Sequence, residues 1–88
     1  MMLEAMKRAG QILDYRYEAM SLRLAENTHY IPDFFVVYPD HFEIHEIKGP
    51  FVRDDARAKV KIAADKFPWW AFKIYQKKKD RAWYLEEL

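Results

Sequence analysis

The stretch YIPDFFVVYPDHFEIHEIKG, residues 30–49, sets two carboxylates and a lysine into a strongly apolar part of the chain. Asp33 follows a proline at the head of FFVV, and Glu46 and Lys48 close FEIHEIK just before Gly49-Pro50. A lone carboxylate ahead of such a run is costly to bury, so it calls for a partner or a cation. Two carboxylates hold a hard cation through oxygen, and Mg²⁺ commonly takes only one or two of them from a protein. The backbone carbonyl of Ile47 would add a metal ligand. A lysine alongside would orient or activate a water, or steady charge on a phosphate. Such a set suits hydrolysis of a phosphodiester. The plainer reading is an ion pair between Lys48 and a carboxylate at the end of a sheet.

For these groups to meet, the chain must form a hairpin. Side chains alternate along a strand, so Glu46 and Lys48 share one face while His45 and Ile47 share the other. Pro39-Asp40-His41 reads as a tight turn between strands over 29–38 and 42–48. An antiparallel pairing then lays Asp33 beside the Glu46–Lys48 end. Upstream, 2–9 suits a helix with Leu3, Met6 and Ala9 on one face and Gly10 as its stop. Residues 11–24 fit a strand or, from EAMSLRLAE, a helix. The alternation of Tyr15, Tyr17 and Ala19, and the need for a pairing partner, favour one strand, with AENT at 25–28 as its turn.

Downstream, Asp54 or Asp55 caps a helix running to about Lys66, with Ala56, Val60, Ala63, Ala64 and Phe67 near one face and Pro68 after it. Residues 69–76 alternate as a strand, KKKD turns, and 82–88 form a short last strand. The helix between the third and fourth strands implies a right-handed crossover and a parallel pair. The expected order is α-β-β-β-α-β-β, an α/β fold in the broad sense (a mixed α+β sheet flanked by helices), with 1–88 as a single domain.

About half of the 88 residues are apolar, and the six Tyr, six Phe and three Trp are enough to leave some rings exposed, as a homodimer interface would use. The absence of cysteine excludes a disulfide scaffold and a thiolate metal site, and fits a reducing cytoplasm. No apolar run reaches transmembrane length and the N-terminus lacks the order of a signal peptide, so no membrane partner is expected. A net charge of +1 gives no global signature of nucleic-acid binding, yet the basic residues gather in the C-terminal half. A local basic face there is compatible with phosphate contact.

Several features have plain structural readings. His29 and His45 lack zinc-ligand spacing and read as surface or core-rim residues. Gly49-Pro50 reads as a strand end, and Lys77-Lys78-Lys79 as a polar turn. Trp69-Trp70 should place one ring in the core and one at the edge.

IPDF followed by HEIKG resembles the PD-(D/E)xK nuclease signature, here Pro32-Asp33 and then Glu46-Ile47-Lys48. Beyond the motif, AGQILDYRYEAMSLRLAENTHYIPDFFVV, FEIHEIKG and DDARAKVKIAADKFP are similar to small phage-encoded nucleases of this class, relatives of the bacteriophage junction-resolving endonuclease I. The resemblance implies a restriction-endonuclease-like core, Asp33 and Glu46 as metal ligands, Lys48 as the catalytic lysine, and Mg²⁺ or Mn²⁺ as cofactor. It implies DNA as the partner, with Arg57, Lys59 and Lys61 on the helix that borders it. The relatives often carry a further glutamate on the first helix, upstream of where this chain begins. Glu4 lies later on that helix, and Glu18 on the first strand is the candidate third acid.

The expected activity is therefore metal-dependent endonucleolytic hydrolysis of DNA in the cytoplasm. It should select branched or nicked structures, since phosphate contacts carry little sequence information. Cutting both strands of a junction takes two sites, which a homodimer supplies. Two competing readings are a DNA-binding protein that keeps the fold without activity, and a protein-interaction module built on exposed aromatics.

Overall fold

The structure is a computed structural model and describes residues 2–49, 54–80 and 82–88, with backbone only at 54–56. Helix α1 (Met2–Arg8) stops at the glycine the sequence marks. Gly10 adopts φ 79°, and the Gly10 and Gln11 N–H groups donate back to the Lys7 and Met6 carbonyls at 3.1 and 2.9 Å. That is a Schellman stop, which needs a residue free to enter the left-handed region. Leu3 is buried with Ile12, Phe34 and Val36, and Met6 packs against them, whereas Ala9 is exposed.

The expected strand over 11–24 breaks in two, as β1 (Asp14–Tyr17) and β2 (Leu22–Ala25). Glu18 sits between them at φ 47°, a left-handed backbone that no strand can contain. The run over 29–38 divides likewise, into β3 (Thr28–Tyr30) and β4 (Phe34–Val37). Pro32 lies in the gap, where it has no N–H to give a ladder and restricts the residue before it. The turn expected over 25–28 is tighter, because Ala25 pairs with Thr28 around Glu26-Asn27, with Asn27 at φ 58°. The added hairpin β2–β3 is a small sheet of its own.

The main sheet has five strands in the order β1-β4-β5-β6-β7, with β5 (Phe42–Lys48), β6 (Ala71–Lys77) and β7 (Trp83–Glu87). β4 and β5 pair antiparallel as the hairpin reading requires, and β5 and β6 pair parallel across helix α2 (Asp54–Lys66). The chain is a mixed α+β fold with a mixed sheet and two helices among the described residues. Its order has two more strands than the sequence suggested.

The two faces of the main sheet are covered differently. On one, α2 buries Val60 and Ala63 against Ile44, Phe72 and Ile74, and the β2–β3 hairpin adds Leu22, Leu24 and Tyr30. Trp70 packs into this layer against Phe35 and Phe67 while Trp69 stays exposed, the division expected of the pair. On the other face α1 is short. It covers β4 and leaves Ile47, Trp83 and Leu85 exposed toward the β7 edge. Among the described residues no helix is long and apolar enough to cross a membrane.

Candidate active site

The register pairs Phe34 with His45, which sets Asp33, just ahead of β4, opposite Glu46. The two carboxylates and Lys48 meet there. Asp33 Oδ2 accepts a hydrogen bond from the Ile47 N–H at 2.8 Å, and the Asp33 N–H donates to Glu46 Oε1 at 3.3 Å. Lys48 Nζ donates to the other Glu46 oxygen at 3.1 Å, as expected for residues two apart on one strand face. The Ile47 backbone, named from the sequence for its carbonyl, is thus tied to the site through its N–H.

Glu46 is only 6% exposed. Burial, and then the neighbouring Asp33 carboxylate, push its carboxyl above the ordinary value, and the Lys48 ammonium opposes that without reversing it. Two carboxylates and one ammonium thus meet here. Two adjacent carboxylates fit a hard divalent cation. Among the described residues no group of three or more His, Cys, Asp or Glu is arranged to hold a metal ion. A cation here would rest on Asp33, Glu46 and neutral oxygens.

Neither candidate for a further acid completes the set. The Glu18 N–H donates to the Asp33 carbonyl at 2.9 Å, so its backbone borders the site. Its carboxylate instead engages the Tyr17 hydroxyl, and that hydrogen bond raises the phenol above its ordinary value. The left-handed backbone that ends β1 takes Glu18 out of the strand alternation that would have aimed it at Asp33. Glu4 accepts from the Tyr15 hydroxyl at 2.6 Å and pairs with Arg8, which ties it to β1.

A residue not singled out in the sequence contributes directly. The Tyr30 hydroxyl, buried at the end of β3, donates to Glu46 Oε1 at 3.2 Å. A tyrosine in an apolar run looks like core, and only the break of the strand at Pro32 turns it toward Glu46. Glu43 was also missed. It is buried on the opposite sheet face, where His41 Nε2, His45 Nε2 and Lys73 Nζ reach it at 2.6, 2.8 and 3.0 Å. The alternation of Glu43 and His45 along β5 was the available signal.

The basic residues are divided. Arg57 is held by Glu86 on β7, which occupies the guanidinium, while Lys59 and Lys61 are exposed on α2. Because α2 follows β5, its first turns stand at the Lys48 end of the sheet. The β6–β7 turn stands there too, since Lys48 pairs with Gln76 and Lys77 pairs with Trp83. The expected helix cap at Asp54 or Asp55, the packing of Ala56, and Pro50 lie outside the described residues or side chains. His29 is exposed, and His45 is buried and bonded to Glu43.

No protein-family model, curated protein or solved structure matches the chain.

Proposed function

We propose that this chain is a metal-dependent DNA endonuclease whose site is Asp33, Glu46 and Lys48, on a restriction-endonuclease-like core. The observation that carries the reading is the meeting of two carboxylates and a lysine at one sheet end. Glu46 is buried against the Asp33 carboxylate with a single ammonium 3.1 Å away. A carboxylate kept there at such a cost has a use in binding a cation.

Asp33 and Glu46 would hold Mg²⁺ or Mn²⁺, with the Ile47 carbonyl as a further oxygen. Bound there, the cation supplies Lewis-acid stabilisation of a phosphoryl oxygen. The Ile47 N–H fixes the rotamer of Asp33, and Tyr30 with the Asp33 N–H fixes that of Glu46. Lys48, anchored on Glu46, projects a donor toward a non-bridging phosphate oxygen and orients the attacking water. An O–P bond forms from water as the P–O bond to the leaving strand breaks; the water gives a proton to solvent and the leaving oxygen takes one from solvent to become a hydroxyl. Lys59 and Lys61 add phosphate contacts from the neighbouring helix. Structure-selective cutting of branched DNA by a homodimer follows from a site built on phosphate contacts, one per chain.

The test is cleavage of a labelled four-way junction beside the same sequences as linear duplex, with Mg²⁺, Mn²⁺ or EDTA. Cutting that needs the metal and falls by about a thousandfold in Lys48→Ala supports the proposal. Cutting of both substrates alike keeps the nuclease and removes the junction preference. A second reading, a DNA-binding protein without activity, is favoured by the absence of a third acid among the described residues. Junction binding with no cutting under any metal would establish it.

A further inference from the structure

The sheet face that α1 leaves bare carries a groove of about 760 Å³. Tyr17, Phe34, Tyr75, Trp83 and Tyr84 line it with His45 and Ile47 from the face of β5 opposite Glu46, and Asp33 stands in its wall, so the groove reaches the acid pair at Asp33. Two features set it apart from an ordinary uncovered apolar face. Its walls are aromatic planes, several of them exposed, with Tyr17 at 65% and Trp83 at 55%. Ammonium groups also stand over two of those planes. Lys77 Nζ is 5.9 Å from the Trp83 ring centre, and Lys78 Nζ is 5.6 Å from that of Tyr84.

Lys77 ends β6 and Lys78 follows it into the turn, both at the Lys48 end of the sheet. Aromatic rings thus line the groove from these two ammonium groups at one end to Asp33 in its wall. A polymer that offers a flat apolar group and an anion in every repeat matches this pattern, and a single nucleic-acid strand is such a polymer. In a duplex the bases stack on each other and present only their edges, so these planes would find nothing to stack on.

We infer that the groove holds unpaired nucleotides of the strand being cut, with bases on Tyr17, Tyr75 and Trp83 and phosphates on Lys77 and Lys78. The substrate is then DNA with a single-stranded segment next to the scissile phosphate, such as a flap, fork or opened branch. This rests on the nuclease reading for the position of the scissile phosphate. The binding of a strand in the groove does not depend on it.

The experiment measures anisotropy of a labelled oligothymidylate in EDTA, beside an abasic strand of equal length and a blunt duplex. In parallel, Mg²⁺-dependent cleavage is followed on a splayed fork and on the duplex. Oligothymidylate should bind about tenfold or more tightly than the abasic strand, and Trp83→Ala should remove that advantage. Trp83→Phe should keep most of it, which separates stacking from a folding defect. Trp69→Ala, an exposed ring at the far end of β6, should change nothing. Lys77→Glu with Lys78→Glu should flatten the salt dependence of binding.

Equal binding of abasic and thymidylate strands would overturn the groove assignment. So would duplex cutting untouched by Trp83→Ala, though the nuclease would stand. Strand binding that depends on Trp83, with no cleavage of any substrate, would support the groove and sink the nuclease. A dimer in light scattering that Trp83→Ala splits would give the groove to a second copy of the chain and overturn the inference.

Discussion

Glu43 and Glu46 lie on the same strand, are almost equally buried, and face opposite sides of the sheet. Their surroundings treat them in opposite ways. Burial would raise Glu43, but hydrogen bonds from His45, His41 and Lys73 together outweigh it and bring the carboxyl down to about 2. Glu46 also has three donors, Lys48, the Tyr30 hydroxyl and the Asp33 N–H, but burial and then the adjoining Asp33 carboxylate push its carboxyl up. Glu43 is complete within the fold. Glu46 adjoins a second carboxylate, the arrangement on which the proposed cation site rests. Depth of burial does not separate a structural carboxylate from a functional one. The balance of partners does.

The largest effect of breaking this contrast should come from Glu43→Gln. It takes from the Lys73 ammonium its closer anion, leaving only Glu87 at 3.8 Å, and loosens two imidazoles, at a cost of about 3 kcal/mol in urea unfolding. The sign with pH is set by the depressed carboxyl. Its contribution is whole above the ordinary 4.5 and drains as pH falls toward 2, so the variant should lose the steep acid limb of the wild-type stability curve. His41 works the other way. Glu43 first and then Asp40 raise its imidazole, so its contribution is whole below 6.5 and is lost as pH rises through the raised value. An acid limb unchanged by Glu43→Gln would break the contrast.

Glu46→Gln should do the opposite in the metal-free protein. The raised carboxyl means stability is present below the ordinary 4.5 and lost as pH rises through the raised folded value. Neutralising the residue removes that loss, with an expected gain of about 1 kcal/mol at neutral pH. The same substitution should abolish the thermal shift that Mn²⁺ gives the wild type. Because protons compete for the raised carboxyl, the wild-type Mn²⁺ shift should be larger at mildly alkaline than at mildly acidic pH. A destabilised Glu46→Gln that still binds Mn²⁺ would reduce the site to an ion pair with Lys48.

The half of this contrast that was legible in the sequence is the local half. Strand alternation in FEIHEIK put Glu46 with Lys48, and the turn at 39–41 put Asp33 across from them. Glycine and proline marked the ends of α1 and α2, and the α2 core positions Val60 and Ala63 followed from their spacing. Backbone breaks within apolar runs were not legible. Glu18 entering a left-handed conformation and Pro32 interrupting a ladder turned two expected strands into four. Those breaks carried Tyr30 to Glu46 and took Glu18 away from Asp33. The Glu43 network joins β5 to the turn before it and to β6, so its parts are separated in sequence by the whole of α2. The position of the lysine turn depends likewise on β6 lying parallel to β5, and a composition count cannot express that.

Tyr30→Phe gives the smallest and finest test, because it changes the surroundings of Glu46 while keeping both carboxylates and the lysine. The ring stays in the core among Leu22, Leu24 and Ile44, so packing is conserved and the loss in stability should be near 1 kcal/mol. The lost O–H was a donor to Glu46 Oε1, and its removal withdraws support from the ionised form. The Glu46 carboxyl should therefore rise further, and the acid limb of Mn²⁺ binding should move to higher pH with the plateau affinity little changed. A tyrosine serving packing alone would leave that limb in place. Measuring the limb by Mn²⁺ titration across pH, in wild type and variant, thus asks whether β3 was carried over the sheet to bury a ring or to hold a ligand.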